Sequence, residues 1–178
     1  MTPMRAPCGT PIIGIVGWKN SGKTTLVVKL VEEFTRRGLS VATVKHAHHS
    51  FQIDDAGTDS ARHRRAGAAQ VAIVSARRWA LVTETPDEPD FSAVIAMLKP
   101  CDLVIVEGYK SAPIAKIECR RTAAAPGKPL ASGDPNVIAI ATDDPAAHRG
   151  PLPVFALDAI AAIAGFITSH LGVKKSTA

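Results

Sequence analysis

An α/β domain, with a mostly parallel twisted sheet flanked by helices and some additional antiparallel strands, is the fold this sequence predicts. Three observations carry that prediction. Short β-branched apolar runs alternate with segments of helical periodicity along the chain. The first such run leads into a glycine-rich loop that opens a helix. The 178 residues, 46% hydrophobic and 21% charged, suffice for one core and exclude a disordered or fibrous chain.

Ile12, Ile13, Ile15 and Val16 have the pattern of a strand buried on both faces. Leu26, Leu30, Val31 and Phe34 then recur at helical spacing until Gly38, with Arg36 and Arg37 favourably placed in the last turn. Val41 to Val44 returns to strand character, so a right-handed βαβ crossover is expected. Residues 45–68 are polar and read as a long functional loop followed by a short helix. Val71 to Ser75 and Trp79 to Thr83 read as two strands joined at Arg77-Arg78. Phe91, Val94, Ile95 and Leu98 suggest a helix ended by Pro100. Leu103 to Val106, Ile114 to Ile117 and Val137 to Ala141 are further strands. Between the last two, Pro126 to Pro135 has the composition of a mobile surface loop. Asp158 to Leu171 is a closing helix with Asp158 as its N-cap. The expected organisation is an N-terminal extension over 1–10, one domain over 11–171 and a frayed tail over 172–178.

Cys8, Cys101 and Cys119 form neither a disulfide framework nor a C-x-x-C pair, which fits a reducing compartment. The apolar run near the N-terminus ends in glycines rather than a cleavage site, and Val154 to Ile167 is broken by Asp158. A cytoplasmic chain without signal peptide or membrane span is expected. A net charge of +5 points to anionic partners without choosing among them.

The sharpest signal is Gly17-Trp18-Lys19-Asn20-Ser21-Gly22-Lys23-Thr24, which fits G-x-x-x-x-G-K-[ST] between a strand and a helix. Gly17 and Gly22 let the backbone N–H groups of Asn20, Ser21 and their neighbours turn toward phosphate oxygens at a helix N-terminus. Lys23 reaches the β- and γ-phosphates, Thr24 ligates Mg²⁺, and Thr25 suits the α-phosphate. The fold is therefore P-loop NTPase-like, and the ligand a nucleoside triphosphate with Mg²⁺. Glu107 ends an apolar strand and is the candidate to orient a metal-bound water or act as general base. Lys23 and Glu107 are thus the catalytic candidates.

After the second predicted strand come Lys45, His46, His48 and His49, then Asp54, Asp55, Gly57, Asp59, Ser60, Arg62 and His63. The histidines resemble a transition-metal site by composition, but His-x-His-His has no closed zinc pattern. A nucleotide-sensing or substrate-binding loop is the better reading. Asp54 opens an Asp-x-x-Gly run of the kind with which GTPases sense the γ-phosphate, and joins Thr24 and Glu107 as a metal candidate. Arg62, Arg64 and Arg65 can pair with phosphates.

Together these residues resemble the molybdopterin-guanine dinucleotide biosynthesis protein B family, MobB. The matching runs include Gly17 to Leu26, Val44-Lys45-His46, Ile53-Asp54 through Gly57, Asp59-Ser60, Arg78-Trp79-Ala80-Leu81, Thr83-Glu84-Thr85-Pro86 and Val106-Glu107-Gly108-Tyr109-Lys110. The resemblance runs from about Ile12 to Phe166. It implies a GTP-binding accessory protein of molybdenum cofactor maturation with slow GTP hydrolysis. It further implies a homodimer that assists MobA, the guanylyltransferase attaching GMP to molybdenum–molybdopterin, and contact with a molybdopterin-type cofactor and other molybdenum cofactor proteins. On that reading Lys45, His46, Asp54, Asp59, Arg62 and Lys110 join the phosphate loop as ligand-binding candidates. Asp143 is the candidate to read guanine, since no N-K-x-D motif is present. One departure is Asp55-Ala56-Gly57-Thr58, which lacks the basic residues common in the family; Arg62 or Arg64 are placed to compensate.

Two other readings fit parts of the sequence. A small-molecule kinase would use the same loop but needs an arginine-rich lid, and residues 126–135 are poor in arginine. A nucleic-acid-binding module would suit the charge, yet five Phe, two Trp and one Tyr form no base-stacking row.

Overall fold

Eight strands and four α-helices make up the regular structure of the computed structural model, which describes residues 4–47, 57–125 and 127–175. They gather into two compact units, Met1–His46 with Phe91–Ala178, and Ala47–Asp90.

The first unit holds β1 (Ile12–Gly17), α1 (Lys23–Arg36), β2 (Val41–Lys45), α3 (Phe91–Ala96), β5 (Leu103–Glu107), β6 (Ala115–Arg120), β7 (Val137–Thr142), β8 (Val154–Ala156) and α4 (Ile160–Leu171). Its six strands form one all-parallel sheet in the order β2-β5-β1-β6-β7-β8. β1 and β5 are buried along their whole length, as their apolar, largely β-branched sequences require for strands covered on both faces. One face packs Ile13, Ile15, Leu103, Ile105 and Ile117 against Leu26, Leu30 and Phe34 of α1 and Ile163 and Ile167 of α4. On the other, Ile12, Val104, Val106 and Ile114 pack against Ile95, with Phe91 and Val94 of α3 beside them.

The connection from β1 through α1 to β2 passes over β5, which lies between the two strands. The chain leaves β1 toward one side of the sheet and later returns to its other side as β6, so strand order reverses around β1. Ligands of open α/β sheets bind at the strand carboxyl ends where such a reversal occurs.

Two local expectations need correction, and one element was not foreseen. Asp158 does not cap α4: its N-cap is Ala159, and no side chain serves the helix start. Val154–Ala156, to which the sequence assigned no element, is an edge strand on β7. Residues 127–135 are tied down rather than a loose loop. Glu118, 1% exposed on β6, accepts from the backbone N–H groups of Leu130 and Ala131 at 2.9 and 3.0 Å. Lys116, also 1% exposed, pairs with Asp134 at 2.6 Å. Gly, Pro and Ser content signals irregular backbone, but buried charges on a neighbouring strand decide whether that backbone is anchored.

The second unit holds α2 (Asp59–Arg65), β3 (Gln70–Val74) and β4 (Trp79–Thr83). The Thr58 hydroxyl caps α2 by accepting from Ala61 N–H. β3 and β4 form the expected antiparallel pair, turned at Ser75 to Arg78, with Val74 opposite Trp79 and Ala72 opposite Leu81.

Candidate phosphate-binding site

β1 ends at Gly17 and α1 begins at Lys23, so the glycine-rich loop spans the carboxyl edge of the sheet. Its path depends on left-handed backbone: Gly17 has φ +149°, Asn20 +64° and Gly22 +92°. At Gly17 there is also no room for a side chain, because a Cβ would stand 2.5 Å from both the Cys119 carbonyl oxygen and the Ser21 Oγ. The Ser21 hydroxyl is buried and has no hydrogen-bond partner among the described residues. A wrapped cradle with an orphaned hydroxyl, opening into a cleft of about 420 Å³ lined by Asn20 to Thr25, fits a polyphosphate chain.

Lys23 sits in this cradle and donates to the Trp18 carbonyl at 2.8 Å. Burial pushes its pKa below that of an ordinary lysine, with the nearby Cys119 and Glu107 acting in the opposite sense. Thr24 Oγ1 donates to Glu107 Oε1 at 2.6 Å, and Lys45 Nζ stands 3.5 Å from the same oxygen. The parallel register sets Lys45 of β2 beside Glu107 of β5, and Ile15 of β1 on Glu107's other side. A hydroxyl and a carboxylate oxygen in contact at the foot of a phosphate cradle are the hard oxygen donors that suit Mg²⁺.

Trp18 locks the outside of the loop. Lys110 Nζ lies 3.8 Å over its ring, and its indole N–H donates to the Lys128 carbonyl at 2.9 Å. Gly127 packs so tightly on the indole that a Cβ there would fall 2.2 Å from it. His46 stacks on Tyr109 at 4.5 Å between centroids. Cys119, buried beneath the loop, has its thiol pKa pushed up to about 12 by burial, so it stays protonated and inert.

The sheet's carboxyl edge thus brings together Gly17 to Thr25, Lys45, His46, Glu107 and Lys110, residues widely separated in sequence. Asp143, expected to read guanine, lies at the end of β7 and accepts from Thr122 N–H at 3.1 Å and from its hydroxyl at 2.9 Å. Asp59 and Arg62 belong to the second unit, where they pair with each other at 3.3 Å. Asp54, His48 and His49 lie outside the described residues. Among the described residues no group of three or more His, Cys, Asp and Glu is arranged to hold a metal ion, and no helix is long and apolar enough to cross a membrane.

Sequence reasoning missed Arg121, which lines the cleft beside Asn20 to Thr25. The available signal was the pair Arg120-Arg121 just after an apolar run. Ending that strand at Ile117 rather than Arg120 hid its position at the sheet edge.

Residues 12–143 match the family described as molybdopterin guanine dinucleotide synthesis protein B. A molybdopterin-guanine dinucleotide biosynthesis adapter protein of Haemophilus influenzae is 43% identical over 137 residues, 76% of each chain. The adapter protein of the same description from Escherichia coli is 41% identical over 139 residues, 76% of this chain and 79% of that one. Among solved structures, Bacillus subtilis MobB superposes with a TM-score of 0.69 at 25% identity, covering 93% of this chain and 99% of the other. A molybdopterin-guanine biosynthesis protein B gives 0.67 at 29%, covering 89% and 99%.

Proposed function

The chain belongs to the molybdopterin guanine dinucleotide synthesis protein B family, and from that premise we propose that it is an adapter of molybdopterin-guanine dinucleotide biosynthesis. It binds GTP with Mg²⁺ through Gly17 to Thr25, hydrolyses it slowly, and assists a MobA-type guanylyltransferase in the cytoplasm. The observation that carries this reading is the phosphate cradle closed at its foot by the Thr24–Glu107 contact.

Each residue has a defined task in that reading. Backbone N–H groups from Asn20 to Thr25 receive phosphate oxygens, and Lys23 exchanges its Trp18 carbonyl for the β- and γ-phosphates. Thr24 and Glu107 would hold the metal, directly or through water. When bound, Mg²⁺ supplies neutralisation of the charge shared between those phosphates. Glu107 Oε1 is shared between Thr24 and Lys45, which suits an acid that organises the site better than a free general base and supports slow hydrolysis. Lys45, His46 and Lys110 add donors along the same edge for a second phosphate-bearing ligand, a molybdopterin-type cofactor. The kinase alternative is less well supported, because the segment it would use as a lid is pinned by Glu118, Lys116 and Trp18.

Titration of the purified protein with GTP and ATP in Mg²⁺ tests the nucleotide assignment. GTP is expected to bind at least about tenfold more tightly, a difference of about 1.4 kcal/mol. Equal affinities would remove guanine from the proposal, and no binding of either would remove the triphosphate.

A homodimer is supported by the β3–β4 hairpin of the second unit. Val74, Trp79 and Leu81 share one of its faces and are 75%, 59% and 48% exposed. We expect light scattering to give twice the 18.7 kDa chain mass. Trp79→Glu should bring that to the monomer value, and a wild-type monomer would dismiss the idea.

A further inference from the structure

Among the described residues, three lysines at the carboxyl edge around the phosphate loop are held by protein partners. Lys23 donates to the Trp18 carbonyl, Lys45 faces Glu107, and Lys110 lies over the Trp18 ring. The Arg121 side chain makes no hydrogen bond and no ion pair among the described residues, yet it lines the same cleft as Asn20 to Thr25. Its Nε and Cζ come within 3.4 and 3.7 Å of where a Cβ on Gly22, the residue capping α1, would stand.

The main chain that carries this guanidinium is fixed on several sides. β6 pairs with β1 so that Cys119 is level with Gly17, which brings Arg121 to the loop two residues later. The following turn closes from Ala124 N–H to the Arg121 carbonyl at 3.0 Å. Ala125 N–H then donates to the Lys19 carbonyl at 3.1 Å, joining that turn to the phosphate loop. Asp143 holds the neighbouring Thr122 through both its N–H and its hydroxyl. An anchored backbone presenting an uncommitted planar fork of donors is an arrangement suited to bidentate recognition of a phosphate.

We propose that Arg121 is a further phosphate-contacting residue of the cleft, closing it from the β6 side over the polyphosphate chain, with Asp143 as its positioning residue. This rests on the triphosphate-binding reading above. It assigns Asp143 to the loop that carries Arg121 rather than to the guanine base.

Displacement of a fluorescent GTP analogue by GTP, by GDP and by inorganic tripolyphosphate, at fixed Mg²⁺, separates the possibilities. Arg121→Ala should weaken all three by about tenfold. Arg121→Lys should recover only part of that loss, because the charge returns without the fork. Asp143→Ala should weaken GTP and tripolyphosphate together, whereas a residue reading the base would weaken GTP alone. Unchanged affinity in Arg121→Ala, or a loss seen with GTP but not with tripolyphosphate, would overturn the assignment of Arg121. Loss of GTP alone in Asp143→Ala would overturn its positioning role. A wild-type protein that binds no GTP would overturn the underlying functional reading instead, so the failures are distinguishable.

Discussion

Lys23→Ala is expected to lower GTP affinity by at least about 100-fold, the equivalent of about 3 kcal/mol for losing charge-assisted contacts to two phosphates. The substitution removes the ammonium that the loop holds within its own curve on the Trp18 carbonyl. That carbonyl can turn to water, so the melting temperature should move little. Burial already lowers the pKa of Lys23, so the free protein gives up this proton at lower pH than an ordinary lysine does. Binding depends on the charged form and should therefore weaken earlier on the alkaline side than an unperturbed lysine would allow. Fluorescence titration across pH measures both effects, and a reconstituted guanylyltransferase assay reads the consequence for cofactor maturation. If Lys23→Ala binds GTP like the wild type, the phosphate loop is not the site.

Asp134→Ala is expected to cost about 3 kcal/mol of stability, more than an ordinary surface substitution. Its partner Lys116 has a side chain 1% exposed, and their contact is 2.6 Å. Removing the carboxylate leaves an ammonium buried without its counter-charge, which costs more than the pair ever contributed. It also removes the acceptor for Asn136 N–H and Nδ2, both at 2.9 Å. The carboxylate itself is 22% exposed, which places the expected loss at the low end of the range for buried pairs. Lys116→Met in the Asp134→Ala background should regain part of the loss, because a similar volume then needs no counter-charge.

The same network predicts an acid limb. Burial raises the pKa of Asp134, but Lys116 and Asn136 outweigh it, and the net value lies below the ordinary range. For Glu118 burial again acts upward, and Arg120 with the Ala131 and Leu130 N–H groups outweighs it. Both carboxylates are thus depressed in the folded state. Their contribution is full above about pH 4.5, where the unfolded groups are ionised, and is lost as pH falls through the folded values. Urea unfolding at pH 7 and pH 3.5 should show wild type losing stability and Asp134→Ala losing less. Equal losses would place the acid sensitivity elsewhere.

Legibility in the sequence followed the range of the interactions involved. The strand, loop and helix around Gly17 to Thr25 were readable because each signal acts over a few residues: apolar runs, fixed glycine spacing, periodic leucines. The β3–β4 hairpin was readable for the same reason. Glu107 was legible as an acid ending a buried strand, but its partner Thr24 is 83 positions away and was joined to it only through the motif. Arg121 was illegible, because its importance lies in the pairing of β6 with β1 and in where β6 ends.

By itself, then, the sequence determined that this chain forms a parallel α/β sheet carrying a phosphate-binding loop, and it pointed to the MobB family. Tertiary structure alone decided that β5 inserts between β1 and β2, that Val154–Ala156 extends the sheet, and that Lys116 and Glu118 anchor residues 127–135. It also turned the early excess of positive charge into particular cations, with Lys23, Lys45 and Lys110 held by partners and the Arg121 guanidinium turned to the cleft. The division has a physical cause. Backbone propensity and motif spacing are local, whereas strand order and the pairing of a buried charge depend on which distant segment excludes water from it.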